Sequence, residues 1–311
     1  MDRWKWRAIA AASTLMIAFA GTACTANPES DGRAASQQRQ KYSEGFTVFG
    51  KTAAQTFSEP ENVALAHAAC RGDLSAIANL VARGANPNAL SKDRSVSMLA
   101  WSMECQGVAG FEALLKAKAD PNVRLIRIGD GGAPYGLNMV TFAAGIALPD
   151  YLRLLLKYGG DPSSRVTGGN ALSESVYLGP LDNYTNFQIL LDAGADVNVN
   201  VGIERSVAMQ VALINRWDKV AELLDRGYHR RLDVLAWYLQ RDNFLKSDPS
   251  KTTDDGRSQM QWAAKVKVIL EARGIKFPVA DDPPSEQADL DAEEARLAEN
   301  AKKPGGLLLN P

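Results

Sequence analysis

The sequence predicts an all-α fold, a solenoid of about five to six stacked helix-turn-helix units, and two observations carry that prediction. Apolar pairs stand at Leu80-Val81, Leu114-Leu115, Leu155-Leu156, Leu190-Leu191 and Leu223-Leu224, and their first members are separated by 34, 41, 35 and 33 residues. Each pair runs into a turn phrase: RGANPN ending at Asn88, AKADPN at Asn122, YGGDPS at Ser163, AGADVN at Asn198 and the degenerate RGYHRR at Arg231. An apolar stripe and its turn that recur together near a 33-residue period mark units that bury their faces only against their neighbours.

The 311 residues are 46% hydrophobic and 23% charged, ordinary for a globular protein and ample for a core. Before that core comes an export-type start over residues 1–23. Arg3, Lys5 and Arg7 stand against Asp2, then follows the run AIAAASTLMIAFA from Ala8 to Ala20. At 13 residues the run is too short to cross a bilayer, which takes about 20. GTAC at 21–24 resembles the lipobox of bacterial lipoproteins, in which Cys24 would receive the lipid and become the mature N-terminus. Gly21 stands where that motif usually has Leu, and cleavage after Ala23 without lipidation is the alternative. Thr25 in place of Asp favours the outer membrane under the sorting rule of such lipoproteins, so the implied location is the periplasm, at the outer membrane.

Residues 24–62, rich in Ser, Gln and Ala, read as a flexible tether. Residues 63–277 hold the repeats, and the first shows the logic of all. ALAHAACRG is a helix of small residues that a neighbour can approach closely. Asp73 then stands where an N-cap carboxylate accepts free backbone N–H groups, and Leu74, Ile77, Leu80 and Val81 share a face of the second helix. Gly84 supplies the left-handed residue that ends it, and Asn86-Pro87-Asn88 continues into a turn.

These residues resemble the ankyrin repeat over about residues 60 to 277, best at Gly72, Asp73, Leu80, Val81, Gly84, Ala85, Asn86 and Asn88. The resemblance implies five recognisable units, a sixth as a C-terminal cap, and protein binding on the concave face and its fingers. The family's Thr-Pro-Leu-His phrase is absent, the matching stretches reading VALA, SMLA and MVTF, and Lys118 replaces the usual Gly. Both departures predict a less regular array than a consensus one.

Departures from the period point to functional surface. The 41-residue interval adds about seven residues to the loop VRLIRIGDGGAPYGLN, which an ankyrin stack would present as a finger, so Arg124, Arg127, Asp130 and Tyr135 are candidate partner-binding residues. A tolerated insertion is the alternative. Glu204, Arg205, Asn215, Arg216 and Trp217 form a second candidate near the concave edge of the fifth unit. GPLDNYTN adds residues between the helices of the fourth unit, and RDNFLKSDPSKTTDDGRSQ, a polar and mobile-looking stretch, separates those of the last. Trp101 and Trp237 fall in first helices and Trp217 precedes DKVAELLDRG, positions where bulky rings fill gaps between units more often than they bind a ligand.

Chemistry-bearing clusters are sparse. His67 and His229 lie more than four units apart, no Gly-x-Ser-x-Gly elbow or zinc-type Cys set occurs, and GDGGAPYG does not follow a strand in a nucleotide-binding alternation, which makes it a weak phosphate-loop candidate and a good finger. No catalytic set, metal or cofactor is expected. Cys70 and Cys105 remain as an even pair if Cys24 carries lipid, and an oxidising compartment would allow a bridge. Both sit near the ends of first helices in adjacent units. Packed helices lie about 10 Å apart and a disulfide needs Cα atoms within about 7 Å, which favours two buried thiols over the bridge.

Residues 278–311 form an acidic tail, eight acids against three bases in ADDPPSEQADLDAEEARLAENAKKPGG, read as disordered. Net charge is −1 for the chain, no footprint for nucleic acid. The chain is expected to be a non-catalytic protein-binding lipoprotein. It resembles periplasmic ankyrin lipoproteins encoded beside type VI secretion effectors, particularly lipases. That resemblance implies an immunity protein with a toxic effector as its partner and the membrane engaged through its lipid. A periplasmic scaffold or assembly factor for a native envelope protein is the alternative.

Overall fold

The computed structural model describes residues 45–128, 134–166, 169–199, 206–242 and 245–280, together with residue 295. The export segment, Cys24 and nearly all of the acidic tail lie outside them. Two compact units are present, Met1–Met139 with Lys157–Gly159 and Val140–Leu156 with Gly160–Pro311. Within each, pairs of antiparallel helices stack repeat on repeat, and the fold is all-α, of ankyrin-repeat type.

The first unit contains α1 (Ala53–Thr56), α2 (Pro60–Arg71), α3 (Leu74–Ala82), α4 (Met98–Glu104), α5 (Val108–Lys116) and the hairpin β1 (Arg124–Ile128) and β2 (Pro134–Asn138). Asp73 caps α3, its carboxylate accepting from the Ala76 N–H at 3.0 Å, as the sequence predicts. Gly72 and Gly84 take left-handed φ angles of 64° and 103°. Ile77 and Leu80 are buried, but Leu74, at the margin of that stripe, is 55% exposed.

The folded body begins earlier than residue 63. Residues 45–62, assigned to the tether by composition, include α1 with a reciprocal Thr52–Gln55 capping box, and Val48 and Phe57 are buried. Phe46 and Phe57 each meet Trp101 edge to face, with ring centroids 5.8 Å apart. These few apolar residues have no helical period, and their function is to cover Trp101.

Cys70 and Cys105 form a disulfide, with Cα atoms 5.6 Å apart, which corrects the expected helix spacing. The cause is glycine. A Cβ at Gly110 would lie 1.9 Å from the Ala69 carbonyl oxygen, and one at Gly107 2.7 Å from the same atom, so α5 and the turn before it press onto the end of α2. Cys105 is the C-cap of α4, where the chain turns toward that contact.

The second unit contains α6 (Met139–Ala144, from Val140), α7 (Pro149–Lys157, to Leu156), the short hairpin β3 (Arg165–Val166) and β4 (Gly169–Asn170), α8 (Ala171–Asp182), α9 (Thr185–Asp192), α10 (Val207–Leu213), α11 (Trp217–Asp225), α12 (Leu232–Arg241) and α13 (Asp254–Ala272). Leu155, Leu190, Leu223 and Leu224 are fully buried. GPLDNYTN is a helix extension and a tight turn. Asn183 and Tyr184 are both left-handed, and the Tyr184 ring lies where a Cβ on Gly179 would be 2.2 Å away. The polar stretch before the last helix is more ordered than expected, since Pro249–Lys251 is a 3-10 turn and Asp254 already belongs to α13 behind a Thr253 cap. Val279, assigned to the tail, is held to Gln240 in α12 by two hydrogen bonds, 2.7 and 3.1 Å.

Turn phrases are tied to the following repeat by a ladder of side chains. In the first unit Asn88 donates Nδ2 to the Lys118 carbonyl at 3.0 Å and accepts the Asp120 N–H on Oδ1 at 2.7 Å, and Asn122 donates to the Gly159 carbonyl at 3.0 Å. In the second, Ser163 accepts the Asp196 N–H at 2.8 Å, while Asn198 donates to the Gly227 carbonyl at 3.2 Å and accepts the His229 N–H at 3.0 Å. Exposed His229 thus has a structural place in the ladder.

Candidate protein-binding surfaces

The 41-residue interval builds a two-stranded antiparallel hairpin. RLIRI carries two β-branched residues, Ile126 and Ile128, which favour a strand, and the register pairs Arg124 with Asn138, Leu125 with Leu137 and Arg127 with Tyr135. Leu125 is fully buried and anchors the base. The Ile126 N–H donates to the Arg94 carbonyl at 3.0 Å, which joins the hairpin to the turn of the preceding repeat.

That turn is itself fixed electrostatically. Asp93 accepts from the Ser91 and Ser95 hydroxyls at 2.7 Å each and from Lys51 Nζ at 2.9 Å, and these partners hold its carboxyl well below the usual carboxylate range, Lys51 most strongly. The finger is therefore supported at its base. Arg124, half-buried in β1, and the backbones of Arg127 and Tyr135 lie within this hairpin; Asp130 falls outside the described residues.

The described members of the second candidate set do not form a contact surface. Trp217 is fully buried and stacks on Tyr238 with centroids 6.2 Å apart, so it belongs to the core and not to a contact surface. Arg216 is engaged internally, donating Nε and Nη2 to the Asp218 carboxylate at 2.9 and 2.7 Å and lying 4.6 Å from the Tyr184 ring centroid. Asn215 is a left-handed turn residue with a buried Oδ1. Glu204 and Arg205 lie outside the described residues, next to Ser206 at the start of α10. Trp101 is fully buried, as expected for a gap filler, and the Trp237 ring carries the Arg241 guanidinium at 4.7 Å.

Sequence reasoning missed Glu174, in the first helix of its repeat, and four exposed apolar residues of this unit. Tyr177 is 58% exposed, Leu181 72%, Leu213 40% and Ile214 44%. Their signal in the sequence is weak, since an apolar residue in a repeat helix ordinarily reads as core. Burial pushes the Glu174 carboxyl up to about 7. Among the described residues there is no group of three or more His, Cys, Asp or Glu arranged to hold a metal ion, and no helix long and apolar enough to cross a membrane.

No protein-family model matches the chain, and no curated protein matches it. Among solved structures it is similar to the human ASB11 ankyrin repeat domain, at 22% identity and a TM-score of 0.43, over 75% of this chain and 96% of that one.

Proposed function

We propose that this chain is a non-catalytic protein-binding module that acts as a periplasmic immunity protein, lipid-anchored through Cys24, and blocks a secreted toxic effector by occlusion. The binding reading is carried by the β1–β2 hairpin. It is an insertion relative to the repeat period, paired along its length and bonded to the turn before it, so it is ordered before a partner arrives and loses little entropy on binding. Support for the immunity role is the export-type N-terminus and the resemblance to ankyrin lipoproteins encoded beside type VI effectors. A toxin delivered to the periplasm must be met there, and occlusion needs only a shaped surface.

Replacing Arg124, Arg127 and Tyr135 together with Ala is expected to weaken effector binding while the melting curve stays unchanged. Cys24→Ser is expected to release the protein from membranes with the repeats still folded; retention after a high-salt wash would remove the anchor. The deciding test expresses the effector encoded beside this protein in the periplasm, with and without it. Rescue supports the reading, and equal killing in both cultures overturns it.

A further inference from the structure

Glu174 is the fourth residue of α8, one turn beyond its Asn170 cap. A Cβ added at Gly145 would lie 3.6 Å from its Oε2, and one added at Gly169 would lie 3.1 Å from its Oε1. The carboxylate therefore sits in a recess with two nearby walls that carry no side chain. Gly145 is exposed, so the recess opens there, while Gly169 is buried behind the carboxylate. Among the described residues Glu174 makes no hydrogen bond or ion pair, and burial alone shifts its carboxyl. A part-buried carboxylate without a donor is costly, and either a proton or a cation relieves that cost.

An exposed aromatic stands beside the carboxylate. Tyr177 follows Glu174 by three residues, shares its side of α8 and is 58% exposed. An arginine side chain has the matching form: a planar guanidinium that meets a carboxylate with two hydrogen bonds, on an aliphatic stem that an aromatic ring can cover.

We propose that the recess formed by Gly145, Gly169 and Glu174 is a subsite for an arginine side chain of the bound protein, with Tyr177 on its apolar rim. This rests on the protein-binding reading above and adds to it the chemistry of one partner residue. The subsite lies on the helices of the second unit and shares no residue with the β1–β2 finger. Its negative charge becomes favourable only when the guanidinium arrives, so it selects for a cation and against a neutral side chain of the same shape.

The probe is n-butylguanidinium, with neutral n-butylurea as its control, titrated into full-length protein carrying carboxyl-labelled glutamate and observed by NMR. Saturable shifts are expected at the Glu174 carboxyl and at the amides of Gly145, Gly169 and Tyr177 with the cation and none with the urea, together with a lowered Glu174 titration midpoint. Glu174→Gln is expected to weaken probe binding roughly tenfold. Gly145→Leu should do the same by filling the recess with the carboxylate intact, because a Cβ there meets only ordinary contacts and the fold is kept. Equal binding by both variants, equal binding of the urea, or the absence of saturable shifts at these residues would overturn the proposal. The probe reports on the recess without any partner, so a negative effector rescue and a negative titration are separate failures.

Discussion

In the first unit α5 presses on the end of α2 through Gly107 and Gly110, and the Cys70–Cys105 bond closes the joint. The second unit contains no cysteine, and its repeats are joined by side chains that reach across to cap carbonyls. Asn186 Nδ2 lies 3.2, 3.2 and 2.7 Å from the carbonyl oxygens of Ala143, Ala144 and Ile146. Arg226 donates to the Leu191 carbonyl at 2.7 Å, and Arg273 donates to the Leu224 and Tyr228 carbonyls at 2.6 and 2.5 Å. These carbonyls lie at or just past helix ends, and a neighbouring repeat supplies a further donor to each. A single period thus tolerates two ways of joining its units. One is covalent and acts largely on the unfolded chain; the other is polar and acts in the folded state.

The largest expected effect comes from the covalent joint. Cys70 and Cys105 are 35 residues apart, so their replacement by Ser should cost about 4 kcal/mol through loop-closure entropy. Denaturant melts measure the loss, and hydrogen exchange should place it in α2 to α5. Equal loss of protection in α10 to α13 would break the contrast between the units.

Leu190→Ala removes a fully buried side chain in α9 and is expected to cost about 2 to 5 kcal/mol, felt also in the adjoining repeats. A thermal melt unchanged within error would contradict its core position. Asn186→Ala removes a buried amide that reaches three carbonyls, and about 1 to 3 kcal/mol should be lost, whereas the same loss in an oxidised and a reduced protein would show that this joint does not depend on the disulfide. Smallest, and opposite in sign, is Lys118→Gly. Lys118 holds a left-handed φ of 70° where the other repeats place Gly159, Gly194 and Gly227, so glycine should stabilise by about 0.5 to 1 kcal/mol, the relief of backbone strain being partly offset by a freer unfolded chain. A lowered melting temperature would mean that the Lys118 side chain has a packing role that outweighs the strain.

Legibility followed the range of the interactions. Asp73, Gly84 and the apolar pairs act within a few residues of themselves, and their places in caps, turns and core could be read directly. The inserted finger was visible as a break in the period, because an insertion is also a local signal, but its pairing into two strands was not, since the register joins residues from both sides of the loop. Trp217 was misread as surface since an aromatic beside Arg216 and Asn215 looks like a contact patch until the helix turn that buries it is known. Phe46 and Phe57 were hidden in a polar stretch, because two rings covering Trp101 need no periodicity of their own.

The sequence by itself determined the all-α repeat architecture, its period near 33 residues and the position of the inserted hairpin, since each repeat is a short local program of cap, stripe and turn. Tertiary structure decided the rest. Only stacking brings Cys70 within 5.6 Å of Cys105, because the approach depends on two glycines of one repeat meeting the backbone of another. Only stacking places Gly145 and Gly169 against Glu174, residues whose types carry no signal until the absence of their side chains leaves a carboxylate open.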